Sequence, residues 1–237
     1  VPRKGERARP ARTPAAPIAD ADRLRELLSA VEHELRGPLG AIATWSHVLA
    51  TSGGEGATRE QGLAAIDRSV KSATRLLDDL HDLSRIGDRQ LSLPHQPVDL
   101  WVVLETEARK VAATAEGKTI RLPSKPVVGA LAFGDADRFA RIVQTLLTGA
   151  LAAADAGGVV EAGLERSGRF WQIEIGEPLR RAPPARTSAG RIALLLVRAL
   201  VELHGGEMSG PGAGGASTTV VVRLPAAADT DHPRKGR

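Results

Sequence analysis

From Leu24 to Leu49 the apolar positions are Leu24, Leu28, Val31, Leu35, Pro38, Ile42, Trp45 and Leu49, spaced alternately by three and four. That spacing lays a continuous stripe along one face of a helix, as in a coiled coil or a helical bundle. The glycine-rich run TSGGEGATRE interrupts it. The same spacing then resumes at Leu63, Ile66, Val70, Ala73, Leu77 and Leu80 and runs to about Ile86. Two long helices joined by a short turn predict an antiparallel hairpin. Its seam is too narrow to enclose a core, so pairing with a second copy into a four-helix bundle is the economical solution, and a homodimer is expected.

Beyond GDRQLSLPHQP the period changes. Residues 99–115 read as a helix with Asp99 as N-cap. KTIRL and VVGALAF read as short strands. Residues 135–154 read as a helix with Phe139, Ile142, Val143, Leu146 and Leu147 on one face. GVVEAGLE and RFWQIEIG form a strand pair around Ser167 and Gly168. A Pro/Arg loop follows, then an apolar helix from Ile192 to His204 that Gly205 and Gly206 stop, and STTVVVRLP makes a last strand. The expected fold class is α plus α/β, a dimeric helical hairpin followed by an α/β sandwich. The expected division is a disordered basic tail over 1–19, the hairpin over 20–90, the sandwich over 91–226 and a disordered tail over 227–237.

Composition narrows the class. The 237 residues include no cysteine, which excludes disulfides and cysteine-based zinc sites and suits a cytoplasmic protein. No run of eighteen apolar residues and no signal peptide are present, so a soluble chain without a membrane segment is expected. The formal net charge of +4 sits in the tails. The body is close to neutral, which argues against a nucleic-acid partner.

Within the first helix stands VEHELRGPLGAI. His33 lies two residues from both Val31 and Leu35, which at about 100° per residue turns it from the seam towards solvent. Glu34 beside it is placed to take an imidazole proton and so sharpen the other ring nitrogen as a nucleophile. Pro38 has no N–H, so the carbonyl of Glu34 loses its helical partner and the helix can bend below the histidine. By themselves these residues fit an ordinary surface pair equally well.

The stretch resembles the phosphoacceptor box of two-component sensor histidine kinases, and DLSRI followed by PVDL resembles that family's exit from its dimerisation hairpin. GDADRFARIVQTLL is similar to the approach to the family's asparagine box, WQIEIGEP to the strand entering its first glycine box, and LLLVRALVELHGGEM to the helix after its second. The likeness runs from about Asp20 to Pro225 in the family's order. It implies the histidine kinase/gyrase type of ATPase sandwich, His33 as the phosphorylated residue, Glu34 as its acid-base partner, and Arg36 and Pro38 as members of the box. It also implies a response regulator receiver domain as partner. Where the family often carries Thr or Asn four residues after the histidine, this chain has Gly37, which implies weak or absent phosphatase activity.

The nucleotide boxes depart further. The resemblance places Gly149 where the family's Mg²⁺-binding asparagine stands and Thr145 at the box's first asparagine; the chain contains no asparagine at all. Neither Gln144 nor Asp155 falls on the matching helical position. Glu177 takes the place of the aspartate that reads adenine. Leu179, Arg181, Ala189, Arg191 and Ala193 stand at glycine positions, with Gly190 between them. A glycine offers close backbone approach or positive φ that a side chain obstructs. The lid between the boxes is short, and its arginines 180, 181 and 186, with Arg191 beyond, read as a solvated basic face.

Other features carry less. GPGAGGAS lacks a following Lys-Ser/Thr and reads as a flexible connection. His47, His81, His95, His204 and His232 show no metal spacing, so no metal site is expected, and Trp45, Trp101 and Trp171 read as packing anchors. Each lost charge-assisted contact to a nucleotide costs about 1.5–3 kcal/mol. Three would lower ATP affinity by roughly three to six orders of magnitude if additive, at about 1.4 kcal/mol per tenfold. The expectation is therefore a phosphotransfer protein that exchanges a phosphoryl group between His33 and a receiver aspartate and uses no cofactor. The alternatives are an autokinase dependent on ATP and Mg²⁺, with a nucleotide site around Glu177 and Gly190, and a non-catalytic docking scaffold.

Overall fold

The computed structural model describes residues 17–51, 56–88, 94, 96–115, 117–177, 190–210 and 219–227. The expected tails lie outside them except for residues 17–19, which are helical rather than part of a disordered tail, and Ala227; also outside are the lid with its three arginines and the positions 179, 181 and 189, the stretch GPGAGGAS apart from Gly210, and His95 and His232, as are the side chains of residues 17–24 and 26.

Two helices make the hairpin, α1 (Pro17–Thr51) and α2 (Ala57–Gly87). The chain passes through Pro38 as helix. The strand β1 (Gln96–Asp99) leads directly into α3 (Leu100–Ala112), whose first turn is capped by Asp99 as expected: its Oδ1 accepts from the amides of Trp101 and Val102. Then follow β2 (Thr119–Arg121), β3 (Leu131–Gly134), α4 (Ala136–Ala153), β4 (Val159–Ser167), β5 (Phe170–Gly176), α5 (Arg191–Leu203), β6 (Glu207–Ser209) and β7 (Val220–Pro225). The expectation of a strand across VVGALAF holds only for its end: residues 127–130 form turn and coil, with Gly129 left-handed at φ 74°. Strands β1 and β6 were not expected from the sequence.

The strands form two sheets. β1 pairs antiparallel with β3, and a five-stranded sheet runs β2-β4-β5-β7-β6, with β2 and β4 parallel and the other neighbours antiparallel. Register puts apolar residues opposite one another on the inner face: Ala162 faces Ile175, Leu164 faces Ile173, and Trp171 and Ile173 face Leu224 and Val222. The other face carries Glu165, Gln172, Glu174 and Arg223, linked by hydrogen bonds through the Gln172 amide. Helices α3, α4 and α5 cover the inner face with Leu104, Phe139, Ile142, Leu147, Leu196 and Leu200, all essentially buried. Each such side chain contributes roughly 1.5–3 kcal/mol on burial. Trp101 and Trp171 are anchors as expected, and Trp171 Nε1 donates to the Leu131 carbonyl at 3.1 Å.

The hairpin does not stand apart. Ile192 at the start of α5 is fully buried between Ala30 of α1 and Leu76 of α2, flanked by Leu27, Val31, Leu35 and Leu80. A second copy is therefore not the only cover for the hairpin's seam, as the sequence suggested, because the sandwich of the same chain covers part of it. Among the described residues no helix is long and apolar enough to cross a membrane.

Candidate functional site

His33 lies in the middle of α1 and is exposed, as its place off the apolar stripe requires. Gly37, one turn on, is also exposed, and a β carbon there would meet nothing within 4 Å. Pro38 and Gly37 border a shallow groove with Ala41 of α1 and Ala65, Arg68, Ser69 and Ser72 of α2. The histidine is thus open to solvent, and the groove that begins one turn on is lined by small residues and Arg68.

Its neighbours are engaged elsewhere. Arg36 pairs with Glu32 one turn back at 2.6 Å, both well exposed. Glu34 is half-buried, and its Oε1 accepts a hydrogen bond from the Ile192 amide at 3.1 Å. One carboxylate oxygen of the residue assigned to serve His33 therefore belongs to the start of α5. The preceding residue, Gly190, sits at φ 89°, a left-handed conformation favouring glycine, and caps α5 without a side chain.

Two ion pairs join α2 to α4. Arg141 binds Asp79 and Arg138 binds Asp82. Asp79 is nearly buried, and desolvation pushes its pKa above the ordinary 3.8, opposed by the hydrogen bond and charge of Arg141. Sequence reading missed all four residues, because charges three apart on a helix look like a solvated face, and only the fold brings the two helices together.

The positions expected to touch nucleotide lie along α4 and at the end of β5. Gly149 is exposed on α4, with nothing within 4 Å of its absent β carbon. Gln144 and Thr145 are half-buried and Asp155 is exposed beyond the helix. Glu177 is half-buried after β5, its Oε1 3.0 Å from where a β carbon would stand on Gly158. Arg191 is exposed and Ala193 half-buried on the first turn of α5.

His204 has a structural post that the sequence did not announce. At the C-cap of α5 its Nδ1 donates to the Leu200 carbonyl at 2.7 Å, Nε2 accepts from the Asp135 amide at 3.4 Å, and its ring lies 4.5 Å from that of Phe139. Burial lowers its pKa below the ordinary 6.5, against the raising influence of the Leu200 carbonyl. It pins α5 to the start of α4, whose N-cap Asp135 holds the amides of Asp137 and Arg138.

Residues 23–89 match the model of the His Kinase A (phospho-acceptor) domain. Sensor protein DivL of Caulobacter vibrioides is 28% identical over 235 residues, covering 92% of this chain and 30% of DivL. Histidine protein kinase DivJ of the same bacterium is 31% identical over 219 residues, covering 84% of this chain and 36% of DivJ. The chain thus spans about a third of the length of these curated relatives. Among solved structures, the Acinetobacter baumannii histidine kinase AdeS superposes with a TM-score of 0.63 at 17% identity, covering 82% of this chain and 98% of that one. Histidine kinase ThkA, solved in complex with response regulator protein TrrA, gives 0.57 at 15% identity, covering 90% of this chain and 65% of that one. At such identities these structures speak for the fold, a helical hairpin followed by an α/β domain.

Proposed function

The chain is a relative of the histidine kinases that carries their phospho-acceptor domain, and from that footing we propose that it relays a phosphoryl group through His33 without drawing it from ATP. The observation that carries the reading is the open imidazole of His33, exposed on the acceptor helix. The donor is a receiver-domain aspartyl phosphate. A ring nitrogen of His33 bonds to phosphorus, the P–O bond to the aspartate breaks, and its carboxylate leaves with the electron pair. The proton on the other ring nitrogen passes to Glu34, and the reverse steps return the group to a second receiver. Arg36 and Pro38 complete the box as positioning residues.

The same premise supports the partners. A receiver domain suits the small-residue groove below His33, and a cytoplasmic homodimer suits the exposed Leu63, Val70 and Leu77, which recur every seven residues along α2. Against ATP stands the donor set. A metal-bound triphosphate needs oxygen ligands to neutralise charge, and position 149 offers none. On this reading position 149 supplies no ligand for Mg²⁺-ATP, and no step is routed through it.

Two incubations test the proposal, one with labelled ATP and Mg²⁺ and one with a labelled phosphorylated receiver domain. Acid-labile label on His33 from the receiver alone is expected. Label from ATP overturns the reading in favour of an autokinase, and label from neither leaves a docking scaffold.

A further inference from the structure

We propose that the docked sandwich is a brake on His33: seating α5 on the hairpin commits the Glu34 carboxylate to capping that helix, so docking and phosphoryl uptake are alternative states. The inference rests on the reading of His33 as the acceptor.

A helix begins with amides that no residue within it satisfies, and a side-chain oxygen normally accepts from them. The N-cap of α5 is Gly190, which has none. The acceptor comes instead from Glu34, 158 positions earlier in sequence, whose Oε1 meets the Ile192 amide. The positive end of the helix dipole favours a carboxylate there. Three further contacts fix the arrangement. The Ile192 side chain fills the gap between Ala30 and Leu76, Ala30 lying one turn from His33, and the Asp79–Arg141 and Asp82–Arg138 pairs clamp α2 to α4.

Two carboxylates are adjacent in sequence to His33: that of Glu32 is paired with Arg36, and that of Glu34 is the one that α5 engages. While one oxygen accepts from α5 it is held towards the sandwich; to take the imidazole proton it must turn back, and the α5 amide then loses its partner. Release of the sandwich frees the base, and capture of the base favours closure. A partner that competes for the hairpin would open the clamp as it binds.

The test opens the clamp without touching His33 or Glu34. Arg141→Asp sets two acids against each other, and Asp79→Arg with Arg141→Asp restores an opposite pair. Hydrogen exchange of the first-turn amides of α5 reads docking. Labelling of His33 by phosphoramidate reads acceptor chemistry without receiver or ATP: the imidazole nitrogen bonds to phosphorus, the P–N bond breaks, and ammonia leaves. The single variant is expected to raise both rates, labelling by about tenfold if docking weakens by about 1.4 kcal/mol, and the double variant to bring both back. Faster exchange with unchanged labelling overturns the brake alone. Exchange as fast in the unaltered protein as in Arg141→Asp overturns the docking contact and with it the brake. Slow exchange with no label in any form overturns the acceptor reading on which the brake depends.

Discussion

Trp45 packs on the bare backbone of Gly62 across the hairpin: Cε3 of the indole stands 2.9 Å from the place a β carbon would occupy, and both Leu49 methyl groups 3.2 Å. A helical glycine costs roughly 0.5–1 kcal/mol relative to alanine, so the close approach of the two helices accounts for its presence. Gly62→Ala is expected to destabilise the protein by about 1–2 kcal/mol, the cost of overpacking outweighing the gain in helix propensity. Gly149→Ala, in open space on α4, is expected to stabilise by about 0.5–1 kcal/mol. Urea unfolding of the two variants checks the pair, and equal stabilisation by both would contradict the packing described.

Stability should fall on mild acidification because of His204. Its folded pKa lies below 6.5, so the unfolded chain binds the proton more readily. The contribution is complete above the unfolded value and is lost as pH falls from about 6.5 towards the folded pKa. Asp79 acts in the opposite sense: its pKa is raised above 3.8, so its contribution is greatest at low pH and is lost as pH rises through the folded value. Comparing unfolding midpoints at pH 7.5 and 5.5 for the unaltered protein and His204→Gln isolates the imidazole. The variant is expected to lose less stability on acidification.

Gly149→Asn places a carboxamide where a side chain has free space. The variant should fold with a stability within about 0.5 kcal/mol of the parent, as exposed substitutions generally do. Label from ATP on His33 is not expected to appear, since Glu177 and the first turn of α5 are unchanged. Its appearance would show that one missing donor had silenced a working site.

The stripe of Leu63, Val70 and Leu77 is 53%, 48% and 57% exposed in the single chain, more than a solvated helix needs. Replacing Val70 and Leu77 by Glu is expected to convert the proposed homodimer to a monomer in sedimentation velocity while the sandwich stays folded. A monomeric parent protein would remove that expectation.

The hairpin was legible because its stripe persists over many turns, and α3, α4 and α5 because their apolar faces and stops are strong. Two strands were not. β1 contains Pro97 and buries only Val98, so it reads as a chain exit. β6 is three residues long, with Met208 alone turned inward and only half-buried. His33 could be placed on the exposed face by counting turns. The contact of Glu34 with the Ile192 amide could not, because nothing local marks an acid that will meet a helix start 158 residues away. The role of His204 was equally hidden. Its sign was the glycine opposite: a β carbon on Gly134 would fall 2.5 Å from the His204 ring.

The order of the five-stranded sheet has a consequence for biosynthesis. β7, the last of its strands to be translated, lies between β5 and β6, so neither can complete its pairing until residues 220–225 have left the ribosome. The hairpin's contacts are close in sequence and need no such wait. Closure of the five-stranded sheet is therefore the later step, after the hairpin's own contacts have become available.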